Sequence, residues 1–283
     1  MRSALLLIPV FLLSGCAATP VVADGTVHVV ASTNVYGSIV EALGGGLVSV
    51  TSLIASAAQD PHSFEASAHD QLAVSKADLV VENGGGYDPF VDTLLDAASS
   101  DAVVITASEI AGLPVGGNEH LWYSFDVMQP VAQAIAARLG DLDPDNQPTY
   151  EHNLATFAAQ LADLQHGADA VDAGASVAIT EPVPLYLLED AGFTNITPPE
   201  FSEAIEEGTD VPPAVLKTTL DAVKGAAFLA YNSQTASPET EQLRAAAEKA
   251  GVPVVEFTET LPDGETYLSW MTANLDAITA AIA

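Results

Sequence analysis

Six histidines, His28, His62, His69, His120, His152 and His166, are the side chains in this sequence best suited to holding a metal or moving a proton. Two of them stand in unusual local company. His62 lies in Gln59-Asp60-Pro61-His62-Ser63-Phe64-Glu65, and His120 in Asn118-Glu119-His120-Leu121-Trp122, after a loop containing Pro114, Gly116 and Gly117. Both sit at strand ends or in loops rather than on a helix face, which is where α/β folds place ligands. Far apart in sequence, they can meet only through the fold. The pair alone does not separate a metal site from two ordinary, satisfied histidines. There is no HExxH pair for a zinc hydrolase, and Gly84-Gly85-Gly86 lacks the Lys and Ser/Thr that follow a phosphate loop. A single cysteine, Cys16, excludes a cysteine-rich zinc site and an intramolecular disulfide framework.

Short β-rich runs alternate with helical segments. Strands are expected at residues 27–31, 48–54, 79–82 and 103–106, and a second series at 176–180, 227–231 and 252–257. Most are apolar without polar alternation, as in strands covered on both faces. Helix punctuation is readable between them: residues 35–43 stop at Gly44-Gly45-Gly46, and Ser237-Pro238 opens a helix that ends near Gly251. The two strand series are separated by a helix over residues 148–172, where Leu154, Phe157, Leu161 and Leu164 recur at spacings of three and four. Alternating strands and helices argue an α/β fold of two lobes, each a mainly parallel sheet flanked by helices, joined by one long linking helix. The divisions expected are a first lobe at 26–145, the linking helix at 146–172 and a second lobe at 173–283.

The composition narrows the possible partners. Of 283 residues, 38 are Asp or Glu and 7 are Lys or Arg, a formal net charge of −31. A surface that acidic repels phosphate backbones and argues against a nucleic-acid partner. With 49% hydrophobic and only 16% charged residues, the chain is nevertheless no disordered acidic tail. Its first residues, MRSALLLIPVFLLSGC, combine Arg2 with an apolar run shorter than the roughly 20 residues of a spanning helix. They read as a signal peptide at 1–15. Leu13-Ser14-Gly15-Cys16 resembles the lipobox at which bacterial lipoprotein signals are cut, so Cys16 is expected to carry lipid and residues 16–25 to form a tether.

Four segments in order give the chain a specific resemblance. Asp60-Pro61-His62-Ser63-Phe64-Glu65, Asn118-Glu119-His120-Leu121-Trp122, Ile179-Thr180-Glu181-Pro182-Val183-Pro184-Leu185-Tyr186 and Val255-Glu256-Phe257-Thr258-Glu259-Thr260-Leu261 resemble the metal-ligand motifs of the TroA-like proteins. Those are the metal-binding solute-binding lipoproteins of bacterial zinc and manganese ABC importers. The resemblance implies four ligands: His62, His120, Glu181 and Glu259. Glu181 stands where zinc members typically have His and manganese members Glu, so manganese is favoured over zinc. Glu259 departs from the usual Asp, and Glu256, Asp263 and Glu265 are close enough in sequence to replace it.

Two imidazoles and two carboxylates supply nitrogen and oxygen donors whose charge neutralises a divalent cation, a set suited to Mn(II) or Zn(II). Asp60 and Asn118 are expected to orient the imidazoles, and Trp122 to exclude water. His28, His69, His152 and His166 are read as non-ligands. The implied function is an extracytoplasmic, monomeric binding protein, anchored through Cys16 to the outer face of the membrane, that delivers the ion to an ABC permease. A metal-dependent hydrolase and a surface adhesin on the same scaffold are the competing readings. Four protein ligands would leave a hydrolase no open coordination position.

Overall fold

The computed structural model describes residues 26–56, 59, 61, 64–171 and 173–283. The expected signal peptide and tether, with Cys16, lie outside these residues, as do Asp60 and His62. The first half runs β1 (Val27–Thr33), α1 (Asn34–Gly44), β2 (Val48–Ile54), α2 (Ala68–Val74), β3 (Leu79–Glu82), α3 (Phe90–Ala98), β4 (Val103–Thr106), α4 (Ala107–Ala111) and α5 (Phe125–Leu142). The long helix α6 (Gln147–Val171) follows. The second half runs β5 (Ser176–Ile179), α7 (Leu185–Asp190), β6 (Thr194–Asn195), α8 (Pro199–Glu206) and α9 (Pro213–Ala222), then β7 (Leu229–Asn232), α10 (Pro238–Ala250), β8 (Val254–Phe257) and α11 (Tyr267–Ile282).

The two sheets have the orders β2-β1-β3-β4 and β6-β5-β7-β8, with every pairing parallel. The strand order is therefore the same in both, and each sheet reverses direction of winding beside its first strand. Central strands β3 and β7 are buried along their whole length, which explains their unbroken apolar character. Strand β8 begins at Val254 and not at residue 252, because Pro253 has no N–H for the ladder; its carbonyl instead accepts from the Leu229 N–H. The two-residue edge strand β6 has no counterpart among the sequence expectations, being too short to carry a pattern. Helix α10 starts as the sequence indicates, with a Ser237–Thr240 capping box and Pro238 in the first turn. It ends on Gly251 at φ 76°, a left-handed position that favours glycine.

Helix α6, 25 residues and about 37 Å long at 1.5 Å per residue, turns one stripe inward: Tyr150, Phe157, Leu161, Leu164 and Ala168. Leu154 is half-buried at the edge of that stripe. One hydrophobic core passes through this helix from Val29, Val81, Trp122 and Tyr123 of the first half to Val177, Phe257, Trp270 and Met271 of the second. The halves are thus packed against each other, and direct hydrogen bonds add to that packing. The Asn34 side chain exchanges two bonds with the Leu261 backbone, both 2.9 Å. The Tyr123 hydroxyl donates to the Thr258 carbonyl at 2.8 Å, and Tyr267 to that of Trp122 at 2.7 Å. Among the described residues, no helix is long and apolar enough to cross a membrane.

Phe157 carries much of the α6 contact, with its ring 6.1 Å from that of Tyr267. Replacing it (Phe157→Ala) is expected to cost about 3–5 kcal/mol in urea unfolding of the metal-free protein. His152→Ala, on the exposed face of the same helix, is expected to stay within about 0.5 kcal/mol.

Candidate metal centre

The residues that could hold an ion gather where both sheets end. Glu181 stands two residues beyond β5, Glu259 two beyond β8, and Asn232 is the last residue of β7. Tyr87 follows β3, and His120 lies in the loop between α4 and α5. This is the carboxyl-edge position that parallel sheets reserve for ligands. The Gly84–Gly86 run serves this geometry. Asp88 accepts from the Asn83 and Gly84 N–H groups, at 2.7 Å each, and fastens a turn that brings Tyr87 to the edge. Gly84 adopts φ +69°, and a Cβ there would lie 2.4 Å from the Ser108 and Thr106 side chains.

His120 is fully buried and its ring is oriented by Asn118. Its Nδ1–H donates to Asn118 Oδ1 at 2.8 Å, and the same oxygen accepts from the His120 backbone N–H at 3.2 Å. The Asn118 amide donates in turn to the Pro182 carbonyl at 3.0 Å, which fixes the orientation of the amide. With the proton on Nδ1, Nε2 presents a lone pair, and among the described residues it has no hydrogen-bond partner. Its nearest charged neighbours among the described residues are two carboxylates, Glu206 Oε1 at 3.7 Å and Glu259 Oε2 at 3.9 Å. Both distances are too long for a hydrogen bond. Trp122, buried with its ring 5.2 Å from the imidazole, closes another side.

Glu259 is 1% exposed and held from three directions. Asn232 donates to its Oε1 at 2.8 Å and the Tyr87 hydroxyl to its Oε2 at 3.3 Å, while Gln234 Oε1 accepts from its backbone N–H at 2.5 Å. Burial, then the Glu259 charge, push the Tyr87 phenol well up, so it remains a donor. The other acids of that segment face elsewhere: Glu256 pairs with Arg244 at 3.2 Å, Glu265 accepts from Ser269, and Asp263 is exposed. Glu181 accepts from the Thr235 hydroxyl and is 2% exposed. Burial foremost, and then the charges of Glu206 and Glu259, push its carboxyl up to about 8 against the lowering effect of the Thr235 bond.

Three of the four ligands expected from sequence, His120, Glu181 and Glu259, therefore share one buried region, and the fourth, His62, lies outside the described residues. His28, His69, His152 and His166 are exposed on β1, α2 and α6. Two neighbours carried no signal in the sequence: Tyr87, and Glu206 at the end of α8. Among the described residues, no three His, Cys, Asp or Glu side chains are gathered closely enough to enclose an ion by themselves. The donor chemistry fits a divalent transition ion: imidazole nitrogen and carboxylate oxygen, no thiolate, and buried negative charge that a cation would offset. A cavity of about 520 Å³ reaches Glu181 and Glu206 past Glu207, Asp210 and Glu239. A larger one, of about 890 Å³, lies between α1, α6 and α11 and is lined by none of the expected ligands, whereas the smaller reaches Glu181.

Comparisons with known proteins place the chain in a family. Residues 29–281 match the family model described as zinc-uptake complex component A, periplasmic. The iron ABC transporter substrate-binding lipoprotein MtsA of Streptococcus pyogenes serotype M1 is 26% identical over 97% of this chain and 95% of its own. The manganese-binding lipoprotein MntA of Halalkalibacterium halodurans is 26% identical over 95% and 94%. Among solved structures, the substrate-binding protein FpvC of Pseudomonas aeruginosa with Mn2+ superposes with a TM-score of 0.74 at 27% identity, over 91% of this chain and 98% of that one. The crystal structure of ZnuA superposes at 0.76 with 24% identity, over 91% and 100%, which speaks for the fold. The family match spans nearly the whole described chain and both sheets: this protein belongs to the family of the periplasmic zinc-uptake component A.

Proposed function

We propose that this protein captures a divalent transition-metal ion outside the cytoplasm and delivers it to the permease of an ABC importer. The observation that carries this reading is the Nε2 of His120, fully buried, without a hydrogen-bond partner among the described residues and close to two carboxylates where both parallel sheets end. Such a group is costly to bury without a partner, and a cation is the partner that satisfies lone pair and carboxylates together. The ligand set is His62, His120, Glu181 and Glu259. Residues 26–145 and 173–283 act as two lobes joined by the helix at 146–172, and each lobe contributes a pair of ligands. The carboxylate at position 181 favours Mn(II) over Zn(II). Cys16 carries the lipid that keeps the monomer at the outer face of the membrane, beside its permease. Relatives named as ABC transporter substrate-binding lipoproteins for iron and manganese support the class of cargo and the transport role. No turnover is part of this role.

The test is titration of chelator-stripped protein with Mn(II) and Zn(II), read by Trp122 fluorescence and thermal melting. Binding is expected to raise stability by about 2.7 kcal/mol when free ion reaches 100 times Kd. His120→Ala and Glu181→Ala are expected to weaken binding about 100-fold or more. An unchanged melting temperature with both ions would overturn the reading.

Glu181 also sets the pH dependence. Its carboxyl titrates at about 8 in the folded chain against an ordinary value of 4.5. Between those values the native state holds a proton that the unfolded state has lost, so metal-free stability falls as pH rises through this window. Glu82, raised to about 7 chiefly by burial, acts in the same direction. Metal-free protein is therefore expected to melt higher at about pH 5.5 than at about pH 8, with the difference reduced in Glu181→Gln. Metal affinity follows the opposite course. The ion needs the ionised carboxylate, so affinity is expected to rise about tenfold per pH unit below about 8 and then level off.

A further inference from the structure

The cavity of about 890 Å³ between α1, α6 and α11 takes no part in the metal chemistry, since none of the expected ligands lines it. Its size is that of a pocket for a small organic molecule. The floor is apolar and aromatic. Phe157 and Tyr267 lie with ring planes 27° apart and centroids 6.1 Å apart, and Leu164 and Leu275 extend the same surface. The Tyr267 hydroxyl is committed to the Trp122 carbonyl, which holds its ring in place. Gly167 keeps the floor open. It lies inside α6, where glycine weakens a helix relative to alanine. A Cβ there would meet Leu275 Cδ1 at 3.5 Å, an ordinary contact, so packing does not demand glycine at this position. What the missing side chain leaves is volume between α6 and α11.

The walls select the sign of charge. Glu41 of α1, Asp163 of α6 and Asp276 of α11 bring carboxylates from all three helices, and no Lys, Arg or His is among the described residues lining the cavity. The start of α11, where the helix dipole would attract an anion, is closed by its own capping box: the Thr266 and Ser269 side chains each accept from the other's backbone N–H. The Thr272 and Thr279 hydroxyls donate to carbonyls of their own helix, at 2.8 Å each. An anion therefore meets no positive charge, and these hydroxyls are already donating. A cation meets carboxylates and, beneath them, aromatic rings that attract it. Acidity alone would draw cations anywhere on a chain of net charge −31; the enclosed aromatic floor adds a preference for a cation with an apolar body.

We propose that this groove binds an organic cation of the ammonium class, its charge among the three carboxylates and its apolar body over Phe157 and Tyr267. The site is separate from ion capture at the sheet ends. Because both halves and the linking helix line it, an occupant stabilises their packing.

The test uses the full chain, chelator-stripped, in about 0.15 M salt to screen the general field. Isothermal titration calorimetry compares octyltrimethylammonium, octyl sulfate with the same chain and opposite charge, and tetramethylammonium with the charge alone, all below micelle formation. Octyltrimethylammonium is expected to fill a single site, with the other two weaker by about tenfold or more. Gly167→Leu fills the groove with a better helix former. It is expected to weaken octyltrimethylammonium about tenfold or more and to leave the Mn(II) and Zn(II) titrations unchanged. Asp163→Asn combined with Asp276→Asn is expected to act in the same direction, whereas Glu200→Gln, an exposed acid on α8, shifts binding less than about twofold. Should Gly167→Leu fold poorly, the double carboxylate variant decides. Equal affinity for octyl sulfate, many weak sites for octyltrimethylammonium, or unchanged binding in a folded Gly167→Leu or in the double variant overturns the proposal. Each of those results leaves metal capture standing, because the Mn(II) and Zn(II) titrations read it separately.

Discussion

The fully buried Nε2 of His120, with no hydrogen-bond partner among the described residues and two carboxylates close by, is the constraint around which the rest of this structure is arranged. Nδ1 of His120 is committed to Asn118, and the nearest charged groups to Nε2 among the described residues are the carboxylates of Glu206 and Glu259. In a region this dry, mutual repulsion among acceptors is poorly screened. The surrounding protein holds the arrangement in place nonetheless: Asn232, Tyr87 and Gln234 fix Glu259, and Thr235 fixes Glu181. A divalent cation brought to this edge would offset that buried negative charge.

The fold explains how residues so far apart in sequence come to one edge of the molecule. Two parallel sheets with the same strand order direct their carboxyl ends to one place, and the long helix α6 spaces them. Because one hydrophobic core runs through both halves, and Asn34, Tyr123 and Tyr267 tie them directly, the metal is not the sole bridge between them. That differs from a cleft in which the ligand alone holds two bodies together.

The sequence made some of this legible and hid the rest for physical reasons. Helix α6 showed in its three-and-four spacing and α10 in its Ser-Pro start and Gly stop, since both signals are local. The ligand segments around His120, Glu181 and Glu259 were recognisable as motifs, and the orienting role expected of Asn118 appears as a hydrogen bond two residues away. Glu206 could not be picked out: it ends an amphipathic helix among Glu200, Glu203 and Glu207, and nothing in its spacing separates it from a solvated charge. Tyr87 reaches Glu259 across 172 positions of chain, a contact that only the tertiary fold creates. The shared strand order of the two sheets was equally invisible, because helices and loops of unequal length leave no fixed period.

The most direct test of shared coordination is a crystal structure of the protein loaded with Mn(II), with the ion located by its anomalous scattering. Expected is one peak bonded to His120 Nε2 from the first half and to carboxylate oxygens of Glu181 and Glu259 from the second. A peak held by residues of one half only, or an ion on the surface with Nε2 still bare, would contradict it.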